Sequence, residues 1–495
     1  MNSKYILAID QSTSGTKALI FDENGSLIAR SDCSHKQIIS PNGWVEHNPI
    51  EIYSNTLQVV KAAVLKANID KNDIVAVGIS NQRETAMAWN RITGIPVYNA
   101  IVWQCARGEA ICKIIEENGH APKIKAATGL HISPYFSAAK LAWILQNVEE
   151  ARVLAKMGKL CCGTMDSWLI YKLTKEKAFK TDYSNASRTQ LFNISTLKWD
   201  DEICKLFWLT KSSLPEVCDS DSLFGTTDFD GYLDKPIPIH GVLGDSHGAL
   251  FGQGCLETGM IKTTYGTGSS VMMNIGKIPV FSKSGVVTSI AWSMGGKVDY
   301  VLEGNINYTG AVMKWVVEDL GLISSPKEAS QLAKNACETD ETYLVPAFTG
   351  LGAPYWDSSA KAMIYGISRN TGKAEIVKAA EECIAYQIAD IINVMSKEAD
   401  IQINSLRVDG GPTRDEFLMQ FQSNILNIPI LIPEIEELSG VGAAYAAGIA
   451  VGVYNKETIF AKMSRKQFQS NMDNAVREKR YNGWKKAISL VLSNK

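Results

Sequence analysis

Two stretches about 250 residues apart share one design, and that repetition limits the fold more than any other feature. The first is Ile6–Leu7–Ala8–Ile9–Asp10–Gln11–Ser12–Thr13–Ser14–Gly15–Thr16–Lys17, which continues as Ala18–Leu19–Ile20–Phe21. The second runs from Met260 to Asn274 through the turn Gly266–Thr267–Gly268–Ser269–Ser270. Each is an apolar run, a turn of glycine and hydroxyl residues, and a second apolar run, the pattern of a β-hairpin. Small turn residues let backbone N–H groups converge on a polyphosphate. Asp10, at the end of a buried run, calls for a metal or a cation beside it. An ordinary Ser/Thr-rich turn accounts for the first stretch equally well. Two such hairpins point to duplicated α/β halves, residues 1–250 and 251–495, with a ligand cleft between them.

At 495 residues the chain is too long for a single core. Its 45% apolar and 21% charged content excludes a disordered chain. A net charge of −2 argues against a general nucleic-acid binder. The ten cysteines are scattered without a C-x-x-C pair, which reads as reduced thiols in a cytoplasmic protein rather than a disulfide framework or zinc site. The N-terminus shows no signal-peptide pattern, and no apolar run reaches the roughly 18 residues of a membrane span. A soluble, cytoplasmic protein is expected.

Glu51 to Lys66 carries apolar residues at helical spacing and leads to the strand Ile74–Ile79, so strand and helix alternate as in an α/β layer. Ser80–Asn81–Gln82–Arg83–Glu84–Thr85 leaves the C-terminal end of that strand, where open α/β sheets place ligands. A strand over Ala100–Trp103 and a helix from Arg107 to Glu117 follow, then a Pro-containing loop, His131 to Lys140, entering a helix at Leu141. Residues 175–235 are polar and turn-rich, and read as loops and short helices. A second organised region opens near residue 240 with the buried strand Pro238–Gly244, ending in Asp245–Ser246–His247–Gly248. At such a junction Asp245 is either a general base or a carboxylate capping a helix. Ser405 to Asp409 runs into Gly410–Gly411, and a helix from Asp415 to Ile425 begins just beyond, where anions and flat ligands are favoured. Ser439 to Gly448 is a small-residue helix suited to close packing on a sheet, and the charged tail from Lys462 to Lys495 is helical in pattern.

With these residues in place, the chain resembles the FGGY family of carbohydrate kinases, and within it the glycerol kinases, over nearly its whole length. The likeness is carried by Gly43–Trp44–Val45–Glu46–His47, Asn81–Gln82–Arg83–Glu84–Thr85, Asn99 to Gln104, Tyr135 to Trp143 and Thr181 to Thr189. Val345 to Asp357, Phe417 to Ser423 and Gly442 to Tyr445 extend it. The resemblance implies two duplicated actin-like, ribonuclease H-like ATPase domains with the active site in the cleft between them. It also implies transfer of the γ-phosphoryl group of ATP, with Mg²⁺, to a terminal hydroxyl of a small polyol or sugar, by a homodimer or homotetramer. On that likeness Asp10 sits by the Mg²⁺ through water, while Thr13, Ser14 and Lys17 face the phosphates from one side and Gly266 and Thr267 from the other. Gly310, Lys314, Gly411 and Asp415 line the nucleotide pocket. Arg83, Glu84, Trp103, Tyr135, Asp245, Ser246 and Ser270 form the acceptor site, with Asp245 as general base. The chemistry fits these roles, since phosphoryl transfer needs positioning and charge neutralisation rather than a covalent nucleophile, and a carboxylate on an alcohol takes its proton as the bond forms. Arg83 and Glu84 are expected to offer a donor and an acceptor to neighbouring hydroxyls.

The acceptor side departs from the glycerol kinases, which carry glutamine after the catalytic aspartate and an aromatic residue soon after the second hairpin. Serines stand at both places here, Ser246 and Ser270. The smaller side chains imply a wider pocket and a longer acceptor, a four- or five-carbon polyol or a ketose, as in pentulose kinases such as xylulokinase or ribulokinase. Lys17, Lys314 and Asp415 replace an arginine, a glutamine and an asparagine. Lys17 can still reach a phosphate as a point charge, and Asp415 can still accept from an adenine amino group. His240 reads as structural. A nucleotide-regulated binding protein of the actin or chaperone type shares the architecture, but has no use for a base beside a polyol pocket.

Overall fold

The computed structural model describes residues 4–492. The first hairpin forms as read: β1 (Tyr5–Gln11) and β2 (Gly15–Phe21) pair antiparallel with Asp10 opposite Lys17 and Ile6 opposite Phe21. Their apolar residues are almost entirely buried, so the sheet carries core on both faces. β3 (Leu27–Ser34) extends the antiparallel edge, and β4 (Ile74–Asn81) lies parallel to β1 on its other side, aligning Ser80 with Asp10. β5 (Gly225–Thr227) and β6 (Ile237–Gly244) complete a sheet of order β5–β6–β4–β1–β2–β3.

The second sheet repeats this wiring. β7 (Ile261–Tyr265) and β8 (Ser269–Gly276) make the hairpin, β9 (Val287–Met294) and β10 (Lys297–Ile306) extend it, and β11 (Leu406–Asp409) lies parallel to β7. β12 (Ile430–Pro433) and the edge strand β13 (Arg465–Phe468) give the order β9–β10–β8–β7–β11–β12–β13. In both sheets a central strand has an antiparallel hairpin partner on one side, two parallel strands on the other and an antiparallel edge strand beyond them. The duplication is therefore one of topology as well as of motif.

The helix Leu438–Ala450 lies in the C-terminal half of the chain yet packs on the first sheet and on the helix Asp245–Gly252. Its small residues are what allow this. A Cβ on Gly442 would sit 1.9 Å from the Gly248 carbonyl oxygen, so only glycine tolerates the contact. Tyr445 and Tyr454 then donate to the Gly25 and Asp22 carbonyls beyond β2.

Several expected boundaries move. The strand at 100–103 stops after Ile101, because Trp103 turns away and its backbone N–H donates to Thr85 Oγ1. A 3₁₀ turn, Ala106–Gly108, precedes the helix Glu109–Glu117. The helix expected from Leu141 begins at Ser137, with the buried Lys140 ammonium bonded to the Pro134, Tyr135 and Phe136 carbonyls. The helix expected from Asp415 is Glu416–Leu426, with Asp415 as its cap, accepting from the Leu418 N–H. The tail is not one helix: β13 comes first, then Asn474–Val491, and residues 493–495 lie outside the described residues. The 175–235 region holds short strands as well as short helices. His240 Nδ1 contacts the Asp221 carbonyl oxygen at 2.9 Å. Among the described residues all ten cysteines are free, and no helix is long and apolar enough to cross a membrane.

Candidate active site

A chamber of about 610 Å³ lies between the halves. Thr13, Arg83, Glu84, Trp103, Gln104, Tyr135, Asp245 and Ser246 line it from the N-terminal side, and Thr264, Gly266–Ser270 and Asn305–Asn307 from the other. Every acceptor-site residue expected from the sequence is therefore in one chamber, with Thr13, Gly266 and Thr267.

Arg83 and Glu84, expected to offer a donor and an acceptor to hydroxyls, line the chamber from within a buried network of charges. Arg83 clasps Glu303 at 2.8 and 2.9 Å, and its Nε donates to Asp245 Oδ1 at 3.2 Å. Glu84 accepts from Arg188 Nε at 2.6 Å, and Arg188 Nη1 lies 3.0 Å from Glu303 Oε2. All but Asp245 are nearly solvent-free, so each charge depends on its partners. Burial alone would lift the Glu303 carboxyl, but Arg188 and Arg83 hold it well below the usual range. Burial lifts Glu84 despite Arg188 and Arg83. Sequence reasoning missed Glu303 and assigned Arg188 no role. The one available signal was a lone carboxylate inside the apolar run Tyr300–Val301–Leu302 of β10 and its glycine.

Asp245 is the first residue of its helix, just past the end of β6, with Gly244 as the cap. Its Oδ1 also accepts from the Ser246 N–H at 2.6 Å. The side chain is one-third exposed, toward the chamber. Trp103 and Tyr135 form an aromatic wall with ring centres 5.4 Å apart, and the Trp103 indole N–H donates to Thr13 Oγ1 at 2.9 Å. Ser270 Oγ is buried without a hydrogen-bond partner among the described residues.

The first hairpin turn is closed by Ser12 N–H donating to the Gly15 carbonyl at 2.8 Å, and Ser14 Oγ lies 3.5 Å from Ser12 Oγ. Behind the turn, Asp10 is buried, its Oδ1 has no hydrogen-bond partner among the described residues, and burial pushes its carboxyl up to about 6 despite Lys17. An orphaned, buried carboxylate oxygen is the donor type that a hard divalent cation takes. Lys17 does not project into the chamber: its Nζ is 2.6 Å from Glu437 Oε2 and 3.8 Å from Asp10, and Glu437 also pairs with Arg30.

Gly310 and Gly410 flank the second hairpin. The Gly310 N–H donates to the Gly266 carbonyl at 3.0 Å. Gly410 has φ +99°, and a Cβ there would lie 1.9 Å from the Tyr265 carbonyl oxygen. Gly411, the next residue, faces open space. Near the Asp415 cap, Glu381 is driven up to about 10 by burial and then by Asp415, so it holds its proton at neutral pH. Lys314 stands apart, exposed and 3.6 Å from Glu318 on the outer face of the helix Gly310–Glu318.

Residues 5–252 match the N-terminal domain of the FGGY family of carbohydrate kinases, and residues 261–451 its C-terminal domain. Glycerol kinase 1 of Thermotoga maritima is 50% identical over 491 residues, 99% of this chain and all of the relative. The crystal structure of Plasmodium falciparum glycerol kinase with ADP superposes with a TM-score of 0.95 at 37% identity, covering 100% of this chain and 99% of that one. A xylulose kinase from Lactobacillus acidophilus shares the fold, with a TM-score of 0.88 at 21% identity over 98% of this chain and 97% of that one.

Proposed function

The chain belongs to the FGGY family of carbohydrate kinases, and from that premise we propose that it transfers the γ-phosphoryl group of ATP to a terminal hydroxyl of glycerol. The observation that carries this reading is the single chamber that sets Asp245 opposite the Gly266–Thr267 turn, between the two halves. Asp245 is the general base: its carboxylate is oriented by Arg83 Nε and the Ser246 N–H and opens on the chamber. A base held in this way can take the hydroxyl proton as the new P–O bond forms. Trp103 and Tyr135 cover the C–H faces of the acceptor. Glu84 and Arg83, fixed by Arg188 and Glu303, bind its hydroxyls at set positions instead of by free side-chain search.

The backbone of the Gly266–Thr267 turn, with Thr13 and Ser14 opposite, holds the phosphates, and Gly310, Gly411 and Asp415 flank the rest of the nucleotide. Asp10, with its orphaned oxygen, would hold Mg²⁺ directly or through water, and the ion when bound neutralises charge on the phosphates. Closure of the halves excludes water that would otherwise take the phosphoryl group. Free cysteines and the family's small-molecule chemistry support a cytoplasmic setting, and the family matches over 5–252 and 261–451 support a domain boundary near residue 250.

A longer acceptor, a four- or five-carbon polyol or ketose, is the second reading. Ser270 Oγ, buried and without a partner in a chamber of this size, favours it, because an extra hydroxyl could satisfy it. ADP release by the purified protein with Mg-ATP, measured over glycerol, erythritol, ribitol, xylitol, xylulose and ribulose, separates the readings. The highest kcat/KM for glycerol discards the longer acceptor, and the highest for a pentitol or pentulose discards glycerol. ATPase activity indifferent to every polyol overturns the kinase assignment.

A further inference from the structure

Lys262, the second residue of β7, is fully buried, an expensive position for an ammonium group. Among the described residues its side chain makes one hydrogen bond, from Nζ to Thr264 Oγ1 at 2.8 Å. Among the described residues it forms no ion pair; burial lowers the pKa of its ammonium, Asp409 working against that, Arg83 adding to it, and Glu303 and Asp245 again opposing it.

The register explains why the two side chains meet where they do. Ile261 and Tyr265 turn into the core of the C-terminal half, so Lys262 and Thr264 share the opposite face of β7. Thr264 is aligned with Ser270 on β8 and Ser270 with Asn305 on β10, and these three form one row of the chamber wall. Lys262 lies one step behind that row, on the same face. A hydroxyl has one proton to give and lone pairs to receive, whereas an ammonium only donates. Thr264 Oγ1 therefore accepts from Lys262, and its own proton is directed elsewhere. Among the described residues no protein acceptor takes that proton, and the residue lines the chamber.

The other cations around the chamber are already committed. Arg83 is clasped by Glu303 and Asp245, Arg188 by Glu84 and Glu303, and Lys17 by Glu437. Lys262 alone among these four carries a charge with no carboxylate partner, and it is wired to the chamber through one hydroxyl. We propose that Lys262 and Thr264 act as a pair, the buried ammonium polarising the threonine hydroxyl, which donates to an oxygen of the phosphoryl group in flight. Thr264 is then a catalytic residue and Lys262 a positioning residue. No proton is transferred; the hydroxyl keeps its hydrogen and the bond strengthens as charge builds on the phosphoryl oxygens. The proposal rests on the kinase reading above.

The test compares Lys262→Met, Thr264→Val, Thr264→Ser and the Lys262→Met/Thr264→Val double variant in the full-length protein. Lys262→Met and Thr264→Val should each lower kcat at least about tenfold while the KM values for ATP and polyol stay within about threefold. The double variant should be no worse than Thr264→Val alone, since the two act as one unit. Thr264→Ser, which keeps the hydroxyl, should retain most of the activity. Binding of ADP with aluminium fluoride, a mimic of the transferring group, should weaken about tenfold in Thr264→Val while binding of ADP alone is unchanged. A melting curve separates folding defects, because removing a buried charge should not lower the Tm of Lys262→Met. Unchanged kcat, additive losses, or equal weakening of ADP alone and of the mimic would overturn the pair. If the unmodified protein itself shows no polyol-dependent ADP release, the kinase reading falls first; if it does and all variants match it, only this proposal falls.

Discussion

Arg83 of the N-terminal half and Glu303 of the C-terminal half meet fork to fork across the cleft, with Nη1 2.8 Å from Oε2 and Nη2 2.9 Å from Oε1. Arg188 leans on the same carboxylate from 3.0 Å. One buried glutamate thus balances two buried guanidinium groups and ties the floor of the chamber to both halves of the molecule.

Glu303→Gln should destabilise the protein by about 3–5 kcal/mol, because it leaves both arginines short of charge in a solvent-free site. Equilibrium urea unfolding reads the loss, and a change under about 1 kcal/mol would remove Glu303 from this role. The pH dependence has a definite sign. The folded Glu303 carboxyl is held below its unfolded value, so its contribution is present above the unfolded range and fades as pH falls through the folded one. The variant should lose that part of the acid sensitivity.

Asp10→Asn should have opposite effects on stability and activity. Burial raises the Asp10 carboxyl to about 6, so relative to its unfolded value of 3.8 the ligand-free protein loses stability as pH rises through that window. At pH 7 the ionised form costs about 3 kcal/mol. The asparagine variant should therefore melt higher than the parent without ligand, yet turn over Mg-ATP far more slowly. A lower Tm at pH 7 would contradict the burial cost.

Asp245→Asn should still bind ATP and polyol but lose about 10²–10⁴-fold in kcat, the usual contribution of a positioned base. The amide keeps the Arg83 and Ser246 contacts through its oxygen, so the loss reports on the proton rather than on the fold. Near-normal turnover would reject Asp245 as the base.

Ser270→Phe should fill the far side of the acceptor chamber. Turnover of any four- or five-carbon acceptor should fall at least about tenfold while glycerol is spared. Equal loss on all acceptors would show that residue 270 does not sort them by length.

Much of this architecture is legible along the chain because it is local. The hairpins around Asp10 and Gly266 announce themselves by apolar runs and turn residues within a few positions. The close-packing helix at Ser439–Gly448 is announced by its small side chains. The network under the acceptor site is not local: Glu303 is 220 residues from Arg83, and Arg188 is 104 from Glu84. Nothing near Glu303 or Lys262 says which face of which strand meets the other half, since that depends on sheet order and register. The same holds for Lys17, whose partner Glu437 arrives from 420 residues away. The placement of Lys314 was readable: Val312, Met313 and Val316 are the buried side of that helix, which leaves residues 314 and 318 outside. The strand expected through Trp103 failed for a local reason, the pull of Thr85 on its backbone.

The indole of Trp103 is both a wall of the acceptor chamber and, through Thr13, a strut against the first hairpin. A strut fixes two elements against each other: the segment carrying Trp103 cannot shift without drawing Thr13 and the hairpin turn with it or giving up that bond. One hydrogen bond thereby keeps the aromatic wall and the first hairpin in register, 90 residues apart along the chain.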